Sequence, residues 1–275
     1  MAAEQSTAIV LRTVEFSETS LIVSLLTRDF GRISAIAKGA RRPKGPFEGA
    51  LDLLAVCRIV VLRKQSDTLD LLTEAKLHRR FRGGERSLER LYAGYYVAEM
   101  LRLLTDDHDP HPDVYDLTIR TLGQIDGTGN PTLALLRFDL EILRMLGHSP
   151  GTDRCTDCGR EVDKSGRITF SLSAGGIVCG NCRLKQHQTV SVRADVIEMM
   201  SKLHTAEMKG DGAINFSDES GFSVESQFIS ALIPLYGELR SVLNRYIQTV
   251  VGKVPRMQSF VPVKLTHVSP TTSGE

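Results

Sequence analysis

Residues 155 to 182 read Cys155-Thr156-Asp157-Cys158, then twenty residues, then Cys179-Gly180-Asn181-Cys182. Each CxxC pair brings two thiolates to one side of a tight turn, and four thiolates complete a tetrahedral shell around zinc. The spacing therefore predicts a four-cysteine zinc knuckle in which Cys155, Cys158, Cys179 and Cys182 hold one structural zinc ion. Between the pairs, Arg167-Ile168-Thr169-Phe170 and Gly176-Ile177-Val178 are short β-like runs, and Ser165-Gly166 and Ala174-Gly175-Gly176 supply turns, so the knuckles are expected on small hairpins. A piece this small has no core of its own. Zinc binding, about 10–16 kcal/mol in zinc-finger peptides, then becomes folding energy that offsets the chain entropy.

Other chemistries of four cysteines fit less well. Met1 to Thr7 has no basic-then-apolar leader, so the reading is a cytosolic chain with reduced thiols, which argues against disulfides. A thioredoxin-like dithiol calls for one CxxC opening a helix after a strand, not two matched pairs. A zinc deaminase requires His-x-Glu, and none of the seven histidines is followed two places later by Glu. A shell of four thiolates leaves no position for water, so a structural metal is expected rather than a catalytic one. Cys57, in the apolar run Leu51 to Leu62, reads as a small buried hydrophobe.

With 275 residues, 41% hydrophobic and 24% charged, the chain has the composition of a soluble globular protein of about two domains. No apolar stretch approaches the ~18–20 residues that span a bilayer, so no membrane association is expected. The net charge of +1 excludes a uniformly basic coat and leaves nucleic-acid binding to local clusters.

Residues 7 to 80 read as strands. Thr7 to Val14, Thr19 to Thr27, Arg32 to Ala37, Leu51 to Leu62 and Leu69 to Ala75 are five β-prone runs, which fit a small closed barrel. Asp29-Phe30-Gly31 marks a hairpin turn, and Pro43-Lys44-Gly45-Pro46 opens a loop. From Arg32 to Lys44 the chain carries Arg32, Lys38, Arg41, Arg42 and Lys44 with no acidic residue. Gly39 and Gly45 let that backbone approach a ligand, and guanidinium groups suit phosphate oxygens; the plain alternative is a solvated loop. A second cluster, Lys76, His78, Arg79, Arg80, Arg82, Arg86 and Arg90, could extend a DNA track or merely solubilise a linker.

The barrel segment contains, in order, Ala8-Ile9-Val10-Leu11-Arg12-Thr13, Ser17-Glu18-Thr19-Ser20-Leu21-Ile22-Val23, Leu26 through Ile33, and Ala37-Lys38-Gly39-Ala40-Arg41-Arg42-Pro43. In these residues it resembles the N-terminal domain of the RecO family of bacterial recombination mediators. Gly49-Ala50-Leu51 and Leu71-Leu72-Thr73-Glu74-Ala75 are similar to the family at corresponding places. The resemblance implies an N-terminal OB-fold that binds single- and double-stranded DNA, annealing of complementary strands, and work with RecR to load RecA on single strands covered by SSB. It also implies contact with the acidic, apolar C-terminal tail of SSB. Not every member keeps the cysteines; here all four are present, which suggests a retained metal.

Helical periodicity begins after Arg82. Leu88, Leu91, Tyr95, Ala98, Leu101 and Leu104 predict one apolar face of a helix from Ser87, its N-cap, to Leu104. Tyr92, Tyr95 and Tyr96 could stack on bases, though at helical spacing core packing is the commoner use. Asp106 to Asp113 invites a metal reading, but its two prolines favour a solvated loop. Further helices are predicted over Val114 to Ile125, Thr132 to Leu146 with Gly147 ending it, Arg193 to Met208, and Ser223 to Val251 with Pro234 bending or bounding it.

The expected architecture is a multidomain α+β chain. An OB-fold DNA-binding domain spans 1–80, the first part of an all-α bundle 81–150, an inserted four-cysteine knuckle 151–188, closing helices 189–255, and a disordered tail 256–275. Phosphate loops and nucleophile elbows are absent, so no enzyme is expected. The candidate DNA-binding residues are Arg32, Lys38, Arg41, Arg42, Lys44, Arg79, Arg80 and Arg82. The leading expectation is a cytoplasmic, nucleoid-associated DNA-binding mediator. Its rivals are a zinc-stabilised adaptor that binds only protein and a metal-dependent nuclease built on Asp106 to Asp113.

Overall fold

The computed structural model describes residues 3–42, 45–47, 49–64, 69–206, 221–262 and 265. The chain divides into two compact units, Met1–Pro131 and Thr132–Glu275.

In the first unit β1 (Ala3–Glu15), β2 (Leu21–Thr27), β3 (Gly31–Ala37), β4 (Val56–Leu62) and β5 (Asp70–Arg79) close into the expected barrel, in the order β1-β2-β3-β5-β4. Every neighbouring pair is antiparallel except β3 with β5. Alternation explains the strands: Ile33, Ala35 and Ala37 are buried while Arg32, Ser34 and Ile36 between them are partly exposed. Val10, Val23, Leu25, Ile59, Val61 and Leu72 share one apolar cluster. A bulge between Val10 and Arg12 lets β1 pair with β4 at one end and β2 at the other. The hairpin at Asp29-Phe30-Gly31 forms as read from the sequence, with Gly31 at φ 69°. Thr27 Oγ1 accepts the Phe30 N–H at 3.0 Å and donates to the Gly31 carbonyl at 2.7 Å. Cys57 is fully buried, and burial pushes its thiol up to about 12.

Several strand boundaries differ from expectation: β1 already begins at Ala3, and β2 only at Leu21. The run Leu51 to Leu62 is strand only from Val56; residues 51–54 form turns, with Leu54 at φ 64° and its N–H bonded to the Val10 carbonyl at 2.8 Å. Leu51 and Leu54 are buried nonetheless, so their apolar character reports packing rather than extended backbone. Strand β5 continues to Arg79 and so carries Lys76 and His78, which were read as part of a junction.

A short α1 (Gly83–Arg86) precedes α2 (Leu88–Leu104) and α3 (Pro112–Asp126). Ser87 caps α2 by accepting the Arg90 N–H at 3.2 Å. Ala98 and Leu101 of the predicted face of α2 are buried, but the face is rotated from the rest of it: Ala93, Tyr96, Val97 and Met100 are also inside, whereas Leu88 is 60% exposed. The cause is close approach at Gly94, where an added Cβ would lie 2.4 Å from the Phe81 ring and 2.8 Å from Leu54.

The second unit holds α4 (Pro131–Met145), β6 (Arg167–Ser171), β7 (Gly176–Val178), α5 (Gly180–Arg183), β8 (Thr189–Arg193), α6 (Ala194–Ala206) and α7 (Gly221–Val251), then a 3-10 turn at Arg256–Phe260. Gly147 ends α4 at φ 77°, with the His148 N–H bonded to the Leu143 carbonyl at 2.7 Å. The hairpin expected between the cysteine pairs is present as β6 and β7, and β8 adds a third antiparallel strand against β6. The sequence reading missed β8. Helix α7 runs through Pro234, whose carbonyl accepts from the Arg193 guanidinium at 3.1 Å, and buries Leu232, Leu239, Leu243 and Ile247. Tyr246 on α7 meets Phe170 edge to face at 5.9 Å and donates to the His148 carbonyl at 3.0 Å. Glu238 accepts from the Arg193 guanidinium at 2.7 Å and from Arg167 at 2.9 Å, tying the small sheet to α7. Part of the tail expected to be disordered over 256–275 is structured: residues 256–260 form the 3-10 turn, Gln258 is buried and bonded to Gln248 and to the Asn244 carbonyl, and Val261 is buried, because apolar and amide side chains there pack on α7. Residues 207–220, 263–264 and 266–275, among them the polar stretch expected after Lys209 and the tail from Ser269 to Gly274, lie outside the described residues.

Within this unit Asp139 on α4 pairs with Arg240 on α7, and both side chains are about as buried as leucines, at 0% and 1% exposed. Removing one partner strands a charge in the core. Asp139→Ala is expected to cost about 3–5 kcal/mol, whereas Asp139→Leu with Arg240→Met should recover most of it. Chemical denaturation of both variants checks this; equal losses in the single and double variants would contradict it.

Candidate metal centre and nucleic-acid interface

Close glycine packing brings the two cysteine pairs together. The Gly151 N–H donates to the Gly175 carbonyl at 2.8 Å, the Ile177 N–H to the Gly151 carbonyl at 2.9 Å, and the Thr156 N–H to the Ile177 carbonyl at 3.0 Å. A Cβ on Gly176 would lie 2.3 Å from Thr156 Cγ2, so the segment leading into Cys155 reaches β7 only because position 176 is bare. The first knuckle turns at Gly159, φ 71°, whose N–H bonds the Cys155 carbonyl at 2.8 Å. In the second, the Arg183 N–H bonds the Cys179 carbonyl at 2.9 Å as α5 begins.

The sulfurs of Cys155, Cys158, Cys179 and Cys182 all lie within 4.8 Å of one another, so the four predicted ligands are gathered into a group that could hold a metal ion. None is in a disulfide, and Cys158 Sγ to Cys179 Sγ measures 3.8 Å. Cys155 and Cys182 are buried against Val178, while Cys158 is exposed. Burial pushes the Cys155 thiol up, but the backbone N–H groups of Cys179, Cys158 and Asp157 outweigh it and hold it at about 6. The Cys179 thiol is also held down, chiefly by the Cys182 N–H, whereas hydrogen bonding with Asp157 and then Cys158 pushes Cys182 up. The thiols thus share protons unevenly, and a bound cation would release them.

The basic residues of the first unit divide into two groups. Arg32 bonds the Asp107 carboxylate at 2.7 Å and the Arg102 carbonyl, and the His108 N–H bonds the Arg32 carbonyl at 2.9 Å. The acidic loop Asp106 to Asp113 is therefore seated along β3, with Asp109 held by His111 at 3.0 Å. Arg41 bonds Glu15 at 3.1 Å, and Arg79 reaches the Ile119 carbonyl at 3.3 Å. Arg86 and Arg90 donate to the carbonyls of Gly127, Ile125 and Gly129 at the end of α3, which has no basic residue of its own in its last turn. Sequence patterning did not single out these last two roles; an uncapped helix end beside an arginine-rich segment is the signal that was available. Lys38, Arg42, Arg80 and Arg82 form the other group and are exposed; Lys44 lies outside the described residues. Of the three tyrosines on α2, Tyr96 is fully buried, while Tyr92 and Tyr95 are partly so.

The chain matches two family models over most of its length. Residues 1–81 match the one described as Recombination protein O N terminal, and residues 85–221 the one described as Recombination protein O C terminal. It is 53% identical over 266 residues to the DNA repair protein RecO of Rhodopirellula baltica, covering 94% of this chain and 98% of that one. It is 33% identical over 197 residues to the DNA repair protein RecO of Anaeromyxobacter dehalogenans, covering 72% and 77%. To the DNA repair protein RecO of Symbiobacterium thermophilum it is 28% identical over 254 residues, covering 91% and 98%. With the five-stranded barrel, the helical region and the gathered cysteines, these matches show that the chain belongs to the RecO family of DNA repair proteins.

Proposed function

We propose that the chain is a non-enzymatic recombination mediator that binds single- and double-stranded DNA, anneals complementary strands, and acts with RecR to load RecA on SSB-coated single strands. The observation that carries this reading is the closed barrel presenting Lys38 and Arg42 on one exposed loop, in a chain of the RecO family. Phosphates are the natural partner of such a loop, and base identity is of little consequence to it. Arg32, Arg41 and Arg79 serve by shaping the surface, since each is engaged within the unit. Arg80 and Arg82 extend the track. The work is expected in the cytoplasm at the nucleoid, with the C-terminal tail of SSB as a further partner. No helix among the described residues is long and apolar enough to cross a membrane.

The metal in this reading is one zinc ion. Zinc–thiolate bonds of about 2.3 Å set ligand sulfurs about 3.8 Å apart in a tetrahedron, and Cys158 to Cys179 spans 3.8 Å. When bound, zinc would supply folding energy to the segment between α4 and α6 and, with its shell closed, no hydrolytic chemistry.

Purified protein should contain one zinc per chain, and Cys158→Ser should lose it together with thermal stability before DNA affinity changes. Metal analysis finding no zinc in freshly reduced protein would remove the assignment.

For DNA, replacing Lys38 and Arg42 with Ala should weaken binding to all sequences alike. The log–log salt slope should fall by roughly 0.7 per lost contact on single strands and 0.9 on duplex. An unchanged slope in the folded double variant would move the track to Arg80 and Arg82.

A further inference from the structure

Phe16, in the connection between β1 and β2, is 60% exposed, an unusual state for a phenyl ring that has Val14 beside it at 40%. The segment that presents it is ordered. The Phe16 N–H donates to the Ser20 carbonyl at 3.1 Å, and the Ser17 N–H reaches the same oxygen at 3.3 Å, closing the backbone turn that begins at Phe16. This turn is also stitched to the basic loop. The Arg41 N–H donates to the Thr19 carbonyl at 3.1 Å, and the Arg41 guanidinium reaches the Glu15 carboxylate at 3.1 Å and the Ser17 carbonyl at 3.5 Å. Arg41 thus holds residues on both sides of Phe16, and the next residue along the loop is the exposed Arg42. An exposed aromatic fixed beside exposed cations combines the two elements that single-strand binders use: a ring on which a base stacks and charges that take its phosphates.

We infer that Phe16 is a base-stacking platform for single-stranded nucleic acid, with Lys38 and Arg42 holding phosphates of the same strand. The inference rests on the DNA-binding reading above and goes further by naming the residue that separates single strands from duplex. In a duplex the bases already stack on one another, so the ring gains nothing from them. Lys38 and Arg42 act on both forms through charge, whereas Phe16 acts only where a base is free.

The chain contains no tryptophan, so Phe16→Trp installs a sole indole at the position in question. Titrating that full-length variant with oligothymidylate, excited where tyrosine does not absorb, should quench its emission in step with binding. Phe16→Ala should weaken oligothymidylate binding by about 5- to 100-fold, keep the salt slope, and leave duplex affinity within about twofold. Phe16→Trp should bind single strands at least as well as the parent. An indole that stays bright at saturation, single-strand affinity unchanged in Phe16→Ala, or equal losses on single strand and duplex would each overturn the assignment. A parent chain that binds neither form of DNA would overturn the DNA-binding reading itself, and this inference with it.

Discussion

Asp139 and Arg240 stand 101 residues apart, on α4 and α7, and meet where water is excluded. Leucine and isoleucine contacts along the same helices are non-directional. A charge pair is not, since any other register leaves both ions in a medium that solvates neither. The pair therefore selects one alignment of α4 with α7. The elements between them in the chain are held from α7 by polar contacts: Glu238 receives Arg167 and Arg193, and Tyr246 lies against Phe170. Burial alone would raise the Glu238 carboxyl, but hydrogen bonds from Arg193 and the charge of Arg167 hold it below the usual carboxylate range. The small sheet is thus referenced to a helix whose own register is set in the core.

The first unit uses charge differently. Its arginines are largely structural, and the carbonyls and carboxylates they bind belong to loops and helix ends of the same unit. What distinguishes Lys38 and Arg42 from Arg32, Arg41 and Arg79 is not residue type but that, among the described residues, their side chains are exposed and show no ion pair or hydrogen bond.

Much of this was legible beforehand where the local signal and the tertiary outcome agree. β-Prone and apolar runs marked β1 and β2, alternation marked β3, Ser87 and Gly147 marked helix ends, and the CxxC spacing marked the gathered thiols. The failures share a cause, namely that patterning records burial and not the partner. Leu51 to Leu54 are apolar because they pack, yet they turn; α2 is rotated because Gly94 lets Phe81 approach. Strand β8 carries the alternating Thr189-Val190-Ser191-Val192 but runs directly into α6 at Ala194, so its short period-2 signal merges with the helical one. Asp139 and Arg240 interrupt stripes of leucines at helical spacing, and each was passed over because an acid or a base in isolation reads as solvent-facing. Only the two together explain either.

The separation of Asp139 from Arg240 also imposes an order on biosynthesis. A chain emerging from its N-terminus presents all of the barrel strands by residue 79 and all four thiols by residue 182. The barrel and the knuckle can then form while translation continues. Asp139 by then belongs to a helix whose apolar stripe has no cover, and its carboxylate must stay in water until α7 is made. The pairing of α4 with α7 in the C-terminal unit therefore waits for residue 240, well after the barrel and the thiols have been made. A ribosome stalled before residue 240 would hold a chain with a complete first unit and a formed knuckle, and an exposed α4 for a chaperone to shield.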